Sequence, residues 1–437
     1  MMQLQARPRT FLFLQGLASN FFSRLGAALA ARGHGVLRVN LNAGDQVFWR
    51  NAGALNYRGR PADWPAYVSE LMQARLVTDL VLFGDCRPMH RAAIDAAAGL
   101  HVAVHVIEEG YLRPDWVTVE LGGVNGHSSL PKDPDWYRAV AASLPPTEEI
   151  PAIASSFRRR AREDLVYNVS AMALGWLFPH YRTHRPWHPI VEYAGWAGRL
   201  LRQGGGRRRS AVAVRQLEGA PYFLFPLQLD CDSQIRLHSS FSGMRAAIET
   251  VLTSFAGSAP AGTLLAIKEH PLDNGLVNWR RFTVDVAERL GVLDRLVYLE
   301  DGDIARLVQG SRGVVTVNST SGTLALASGV PVITLGTAIY DIAGLTFPGE
   351  LGQFWRAPVA PDAGLYDAFR RVLVQRCLVR GGFFSEEGLA MLVDGTIARM
   401  EAVSPAPALA GRMARQAPAG ADGFGMDPVI AAAAGRR

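Results

Sequence analysis

Two short motifs in the second half of the chain carry residue types suited to phosphate chemistry. The apolar run 263–267 leads straight into Lys268-Glu269-His270-Pro271. Further on, the apolar run 313–317 leads into Asn318-Ser319-Thr320-Ser321-Gly322 and then a helix-like stretch, 323–328. An apolar run that ends in a polar motif reads as a strand delivering side chains at its carboxyl end, where open α/β sheets bind ligands. Asn318, Ser319 and Thr320 would set hydroxyls and free backbone N–H groups at a helix N-terminus, which favours an anion. Lys268 and His270 would add a cation and an imidazole. Either motif alone is weak, because Ser and Thr commonly cap helices. Their recurrence after successive strands reads as a nucleotide-phosphate pocket in an enzyme that acts on an activated donor.

Carboxylates stand at other strand ends. Glu108-Glu109-Gly110 closes an apolar run, and a carboxylate there is suited to general acid or base work. Adjacent strand residues face opposite ways, so only one of the pair enters a cleft, and the sequence leaves open which. The plainer reading is a charged loop. The segment 226–234 carries Asp230 and Asp232, either of which could serve as a nucleophile toward an anomeric carbon or as a base. It carries Gln228 as well, and Arg236 and His238 follow. The plainer reading here is Asx turns capping the next helix. Gly84-Asp85-Cys86-Arg87-Pro88 also follows an apolar run. Arg87 could hold a carboxylate bidentately, and Asp85 reads most simply as a helix cap. Cys86 and Cys231 lie beside these candidates without a charged-partner pattern that would make a thiolate nucleophile.

Regular elements must position these residues. Strands are expected at 10–15, 36–40, 79–83 and 101–107, with helices at 21–31, 64–73 and 88–98 between them. The rhythm returns with strands near 222–226, 263–267, 295–299, 313–317 and 331–335. Regular βαβα order argues for parallel sheets covered on both faces, and periodicity alone supports two α/β domains. The expected boundaries are 1–150 for the first, 151–215 for a helical and basic linker or membrane-docking insertion, and 216–400 for the second. A tail at 401–437, rich in Ala, Pro and Gly, is expected to be disordered. In the insertion, 165–178 reads as an apolar helix flanked by Trp176, Tyr181, Trp187, Trp196 and arginines. It is either a core helix or a segment lying on a membrane surface.

Composition narrows the classes. The 437 residues are 49% hydrophobic and 19% charged, which is globular and sufficient for two domains. Three cysteines without zinc-ligand spacing exclude a disulfide framework and favour a reducing compartment. No secretory signal is read at the N-terminus, and no apolar stretch reaches the roughly 18 to 20 residues of a membrane span. A cytoplasmic protein is expected. The net charge of +6 is concentrated in 158–162 and 207–209. Such clusters suit nucleic acid or anionic lipid, and each alone reads more simply as a solvated arginine face.

At these motifs the chain resembles a known family, the KpsS/LipB-type capsule polysaccharide biosynthesis and export proteins, which are retaining β-Kdo transferases. The resemblance is carried by Leu14-Gln15-Gly16, 38–42, Gly44-Asp45, 83–88, His90-Arg91, 108–114, Asn125-Gly126-His127, 226–228, 232–235, 268–271, 318–320, 329–331 and 344–346. It runs from about residue 10 to 385 and leaves out the tail. It implies a GT-B fold, with two facing Rossmann-like domains and a central inter-domain cleft. It further implies CMP-Kdo as donor and a lysophospholipid or phosphatidylglycerol acceptor, so that the product starts the lipid linker of a capsule chain. By the same resemblance the nucleophile is Asp232 and the acid/base Glu108, with Glu109 left as the other choice. Lys268, His270, Pro271, Asn318, Ser319 and Thr320 would hold the nucleotide sugar, and Arg87, Arg113, Gln228 and His238 the Kdo carboxylate or the acceptor. No metal and no cofactor are expected, although Asp230-Cys231-Asp232 fits a D-x-D pattern. Expected partners are the inner-membrane surface and other capsule synthesis and export proteins, and no nucleic acid. The competing readings are a non-catalytic assembly or export factor and a GT-B enzyme using another nucleotide sugar.

Overall fold

The computed structural model describes residues 8–147, 151–183 and 185–403. The tail expected at 401–437 therefore lies outside the described residues from 404 onward. In chain order the strands are β1 (Thr10–Phe13), β2 (Gly35–Asn40), β3 (Ala54–Asn56), β4 (Asp79–Phe83), β5 (Ala103–Glu109), β6 (Trp116–Leu121), β7 (Tyr222–Pro226), β8 (Leu264–Lys268), β9 (Leu296–Leu299), β10 (Gly313–Thr316), β11 (Val332–Thr334) and β12 (Leu378–Arg380). The chain divides into two compact units. The first spans Met1–Ser129, Ile150–His184 and Cys377–Arg437, and the second spans Leu130–Glu149 and Arg185–Arg376.

The first unit is built on a seven-stranded sheet in the order β12-β6-β5-β4-β1-β2-β3. Strands β1 to β5 pair in parallel, while β6 and β12 add an antiparallel edge. Every residue of β4 is buried, as expected for a central strand covered on both faces. The core joins Phe11, Phe13 and Val81 to Phe21, Leu25 and Leu29 of helix Phe21–Ala31. It also takes in Phe383, Leu389, Leu392 and Ile397 from the far end of the chain.

The second unit carries a five-stranded, fully parallel sheet in the order β11-β10-β7-β8-β9. Phe223, Phe225, Leu265, Ile267 and Val315 meet helix Met244–Ser258 and Trp355 in its core. The parallel strands follow one order in both units. The first strand is flanked by the second and the fourth, and the third and fifth lie outside. That is the dinucleotide-fold order, and its ligand crevice opens where the winding reverses, between the first and fourth strands. The expected pair of Rossmann-like α/β units is present.

The units do not follow the domain boundaries expected from the sequence at 150, 215 and 400. The chain returns to the first unit at Cys377, because β12 completes the antiparallel edge and helix Glu386–Glu401 buries an apolar face there. Residues 204–206, within the expected helical and basic linker or membrane-docking insertion, lie inside the 29-residue helix Pro189–Leu217. Gly206 lets that helix approach Glu300, where an added Cβ would run into the carboxylate. Ser210 Oγ then accepts the backbone N–H groups of Glu300 and Asp301, each at 3.0 Å.

Candidate functional site

In the second unit the reversal of winding falls between β7 and β10, and a reciprocal amide pair occupies it. Gln228 Nε2 donates to Asn318 Oδ1 at 2.9 Å, and the backbone N–H of Asn318 donates back to Gln228 Oε1 at 3.1 Å. Asn318 Nδ2 donates to the carbonyl of Gln234 at 2.7 Å. Asn318 is thus spent on holding two strand ends together. Ser319 and Thr320 continue from it into helix Ser321–Ala327. Ser319 Oγ lies 2.9 Å from Ser321 Oγ and accepts the Ser321 N–H at 3.1 Å. Gly322 packs where an added Cβ would strike the Tyr340 hydroxyl, which itself donates to the Ser319 carbonyl.

At the end of β8 stand Lys268, Glu269, His270 and Pro271. Lys268 is buried, and burial pushes its ammonium down from the ordinary value. That is the state of a cation kept short of water, whose charge gains most from an incoming anion. Tyr298 donates to Glu269 at 2.9 Å, yet burial keeps the Glu269 carboxyl above its usual range. His270 Nδ1 accepts the N–H of Leu272 at 3.0 Å, so the ring is fixed by the turn it starts. Arg199, from helix Pro189–Leu217, reaches the His270 carbonyl at 3.3 Å and the Glu269 carboxylate at 3.5 Å.

Both aspartates after β7 cap helices. Asp230 Oδ1 accepts the N–H of Met244 at 2.8 Å, at the start of helix Met244–Ser258, and Asp230 pairs loosely with Arg236 at 3.7 Å. Asp232 Oδ1 accepts the N–H of Gln234 at 2.9 Å, at the start of the short helix Ser233–Leu237, and the residue is half-buried. His238 is buried, and its carbonyl accepts the N–H of Thr337 at 2.7 Å. Lys268, His270, Asn318 and Ser319 thus belong to strand ends of one sheet, and Asp232 follows β7 in the same unit.

The first unit repeats the arrangement with different chemistry. Its winding reverses between β1 and β4, and there Arg87 NH1 donates to the carbonyls of Gly16 at 3.2 Å and Gln15 at 3.4 Å. Burial pushes the Arg87 guanidinium down from its ordinary value. Tyr167, Tyr181, Asp45 and Glu108 surround it. No carboxylate forms an ion pair with it among the described residues. Asp45 is instead paired with Arg38 at 3.2 Å, and it accepts the Tyr167 hydroxyl at 3.1 Å and the Leu41 N–H at 3.0 Å. Asn42 and Gln15 each donate to Tyr167 Oη at 2.8 Å. Gly44 is required here, because an added Cβ would lie 2.7 Å from the Tyr167 carbonyl oxygen.

The two adjacent glutamates of β5 are separated by their partners. Glu108 accepts from Asn125 Nδ2 at 2.9 Å. Glu109 pairs with Arg113 and with Arg160, both at 3.0 Å. Arg113 is therefore held at a half-exposed ion pair on the Glu109 side. Asp85, expected to cap a helix, instead clamps the distant turn at 124–127. It accepts from the Val124 N–H and from His127 Nδ1, both at 3.0 Å, and the helix at Pro88–Leu100 has no side-chain cap.

Sequence reasoning assigned no role to Tyr167, Asn42 or Asn125, and it placed Tyr181 beside a core or membrane-surface segment, whereas the Tyr181 hydroxyl accepts from Gln15 Nε2 at 3.2 Å. Gly44-Asp45 and Asn125-Gly126-His127 stood only as motifs of resemblance, and nothing in the sequence around Tyr167 links it to Asp45.

The comparisons agree with the motifs. The family model described as Capsule polysaccharide biosynthesis protein matches residues 78–384. The chain is 34% identical over 385 residues to the capsule polysaccharide export protein KpsS of Escherichia coli, covering 86% of this chain and 97% of that one. It is 32% identical over 383 residues to the capsule polysaccharide modification protein LipB of Neisseria meningitidis serogroup B, covering 86% and 91%. Among solved structures it is similar, at 12% identity and a TM-score of 0.38, to the beta Kdo 2,7 transferase KpsC of Thermosulfurimonas dismutans, over 82% of this chain and 89% of that one. With the family model covering most of the chain and relatives matched along nearly their whole length, the chain belongs to the capsule polysaccharide biosynthesis protein family.

Proposed function

We propose that this chain is a glycosyltransferase, a retaining β-Kdo transferase that moves Kdo from CMP-Kdo to a phosphatidylglycerol or lysophosphatidylglycerol acceptor and so starts the lipid linker of a capsular polysaccharide. The observation that carries the reading is the placement of Lys268, His270 and the Ser319-Thr320 turn at strand ends of one parallel sheet, around the reversal of winding that the Gln228–Asn318 pair marks. Lys268 and His270 supply the positive side of a nucleotide-phosphate site, and Pro271 closes that turn. Ser319 and Thr320 supply hydroxyls, and Asn318 and Gln228 frame them. The reading assigns no metal and no cofactor.

The chemistry is a double displacement. The Asp232 carboxylate attacks the anomeric carbon of Kdo, the bond to the CMP phosphate oxygen breaks, and CMP leaves with the electron pair. An acceptor hydroxyl then gives its proton to Glu108 and displaces Asp232 from the same carbon. Two inversions leave the configuration unchanged. Arg87 is suited to an acidic group of the sugar or the acceptor. It is a desolvated guanidinium without a carboxylate partner among the described residues. Arg113 and His238 are kept as further contacts of that kind.

No helix among the described residues is long and apolar enough to cross a membrane. In this reading a lipid acceptor is met at the surface of the inner membrane, from the cytoplasmic side and beside other capsule synthesis and export proteins. The test is turnover with CMP-Kdo and phosphatidylglycerol, with the lipid product detected by mass. A lipid bearing one added Kdo supports the reading. CMP binding without any Kdo-lipid product would favour the non-catalytic assembly factor, and product formed only from another nucleotide sugar would move the donor assignment.

A further inference from the structure

Helix Phe157–Ala173 turns its polarity inside out. It buries Glu163 and Asn168, and its Tyr167 is hydrogen-bonded to Asn42 and Asp45 within the first unit. Its apolar Phe157, Leu165, Val166 and Val169 are exposed. Leu174 and Trp176, just beyond its end, are exposed as well, Trp176 at 74%. Positions 158, 162, 165 and 169 follow the spacing of a single helix face. The exposed face therefore runs from Arg158 and Arg162 into Leu165 and Val169. The two arginines between them are engaged, Arg159 with Glu163 and Glu386 and Arg160 with Glu109. Arg158 and Arg162 form no ion pair among the described residues. Beside them opens a groove of about 480 Å³, lined by Ser155, Arg158, Arg162, Phe384 and Ser385.

A helix on a water-facing surface shows its polar side and hides its apolar side. The reverse arrangement marks a face that something else covers. We propose that this face docks on an anionic phospholipid surface. Leu165, Val166, Val169 and Trp176 enter the interfacial layer, while Arg158 and Arg162 meet lipid phosphates at the groove. Charge complementarity selects the occupant, since two unpaired cations border an apolar stripe, the composition of helices that lie in a membrane interface. Tryptophan is at home at that depth. The proposal deepens the lipid-acceptor reading and rests on it for its purpose, but it stands or falls by a separate measurement.

The full chain is floated with phosphatidylcholine vesicles and with vesicles that also contain phosphatidylglycerol. Wild type is expected to float with the anionic vesicles and to lose binding as salt is raised. The pair Arg158→Gln and Arg162→Gln is expected to lose about thirty-fold in affinity. The pair Leu165→Gln and Val169→Gln is expected to lose about ten-fold or more. All four side chains are exposed, so thermal midpoints should stay at the wild-type value, and CMP affinity should be unaffected. Equal flotation with both vesicle types, no flotation at all, or wild-type flotation of both variants overturns the docking. Retained flotation with no Kdo transfer overturns the transferase reading and leaves the docking in place.

Discussion

Gln228 and Asn318 hold each other by two hydrogen bonds, side chain to side chain in one direction and backbone to side chain in the other. Strands β7 and β10 lie side by side but are far apart in the chain, and this pair fixes the spacing of their ends. Whatever binds against Ser319 and Thr320 meets a backbone already set. Removing the Asn318 amide leaves the buried Gln228 short of a hydrogen bond. Asn318→Ala is expected to cost about 1–3 kcal/mol of stability and to weaken CMP binding as well. Thermal denaturation and calorimetry on the one variant check both. A loss of stability with full CMP affinity would show that the strand ends do not need this clamp to bind the nucleotide.

His270→Ala and Ser319→Ala are expected to weaken CMP binding by about 1.5–3 kcal/mol each, the worth of a charge-assisted or hydroxyl contact to phosphate. Both residues make local backbone contacts in the free protein, to Leu272 and Ser321. A modest fall in thermal midpoint should therefore accompany the lost affinity. Titration with CMP decides, and unchanged affinity in both variants would remove the nucleotide from this turn.

Asp232→Asn is expected to abolish turnover and leave CMP binding in place, since an amide can still accept the Gln234 N–H but cannot attack carbon. Intact-mass analysis of Glu108→Gln with CMP-Kdo should show one Kdo on the protein, and peptide mapping should put it on Asp232. An adduct on Asp230 would transfer the role to the neighbouring cap.

Glu108 and Glu109 should separate in the same assay. Glu109 is committed to Arg113 and Arg160, whereas Glu108 is held by the Asn125 amide. Glu109→Gln is expected to keep most of the turnover, and Glu108→Gln to lose it by a factor of about 100 to 10,000, the usual weight of a general acid or base. The opposite order would assign the acid/base to Glu109.

Asp79 gives a test of pH. Burial raises its carboxyl, but hydrogen bonds and charge from His105 and Arg9 outweigh that and hold it below its ordinary value of 3.8. A carboxyl depressed on folding stabilises the protein above its unfolded pKa, and the contribution is lost as pH falls through the folded one. Stability should therefore be flat on this account above about pH 5 and decline below the ordinary carboxylate range. Asp79→Asn breaks a fully buried pair and is expected to cost about 3–5 kcal/mol at neutral pH. The gap between wild type and variant should close in acid, and a gap of constant size from pH 7 downward would refute the assignment.

Except for the three-residue β3, which the sequence did not mark, the parallel strands were legible because each is a short apolar run that ends in a turn or polar motif. β4, β5, β7, β8 and β10 all lie where the runs put them. β12 was not legible. Three residues, Leu378–Arg380, carry no period, and they acquire a strand only by pairing with Trp116, Val117 and Thr118. Candidate residues at or just beyond a strand end, such as Lys268 and Ser319, could be placed from the run before them. Contacts made across the fold could not. Asn125 reaches Glu108 over 17 positions, and Tyr167 reaches Asp45 over 122. Nothing local distinguishes that tyrosine from any other on a helix.

The return of the chain to its starting unit sets an order of assembly. Arg9 donates to the carbonyls of Met400 and Val403, and the first core is completed by Leu389, Leu392 and Ile397. During synthesis the first part made must wait for the last before its core is whole, while the second unit already has all of its strands once Thr334 has emerged. The nascent chain thus finishes its middle before its beginning. A stop anywhere between Arg376 and Glu401 would strip the opening unit of part of its interior and spare the five-stranded sheet.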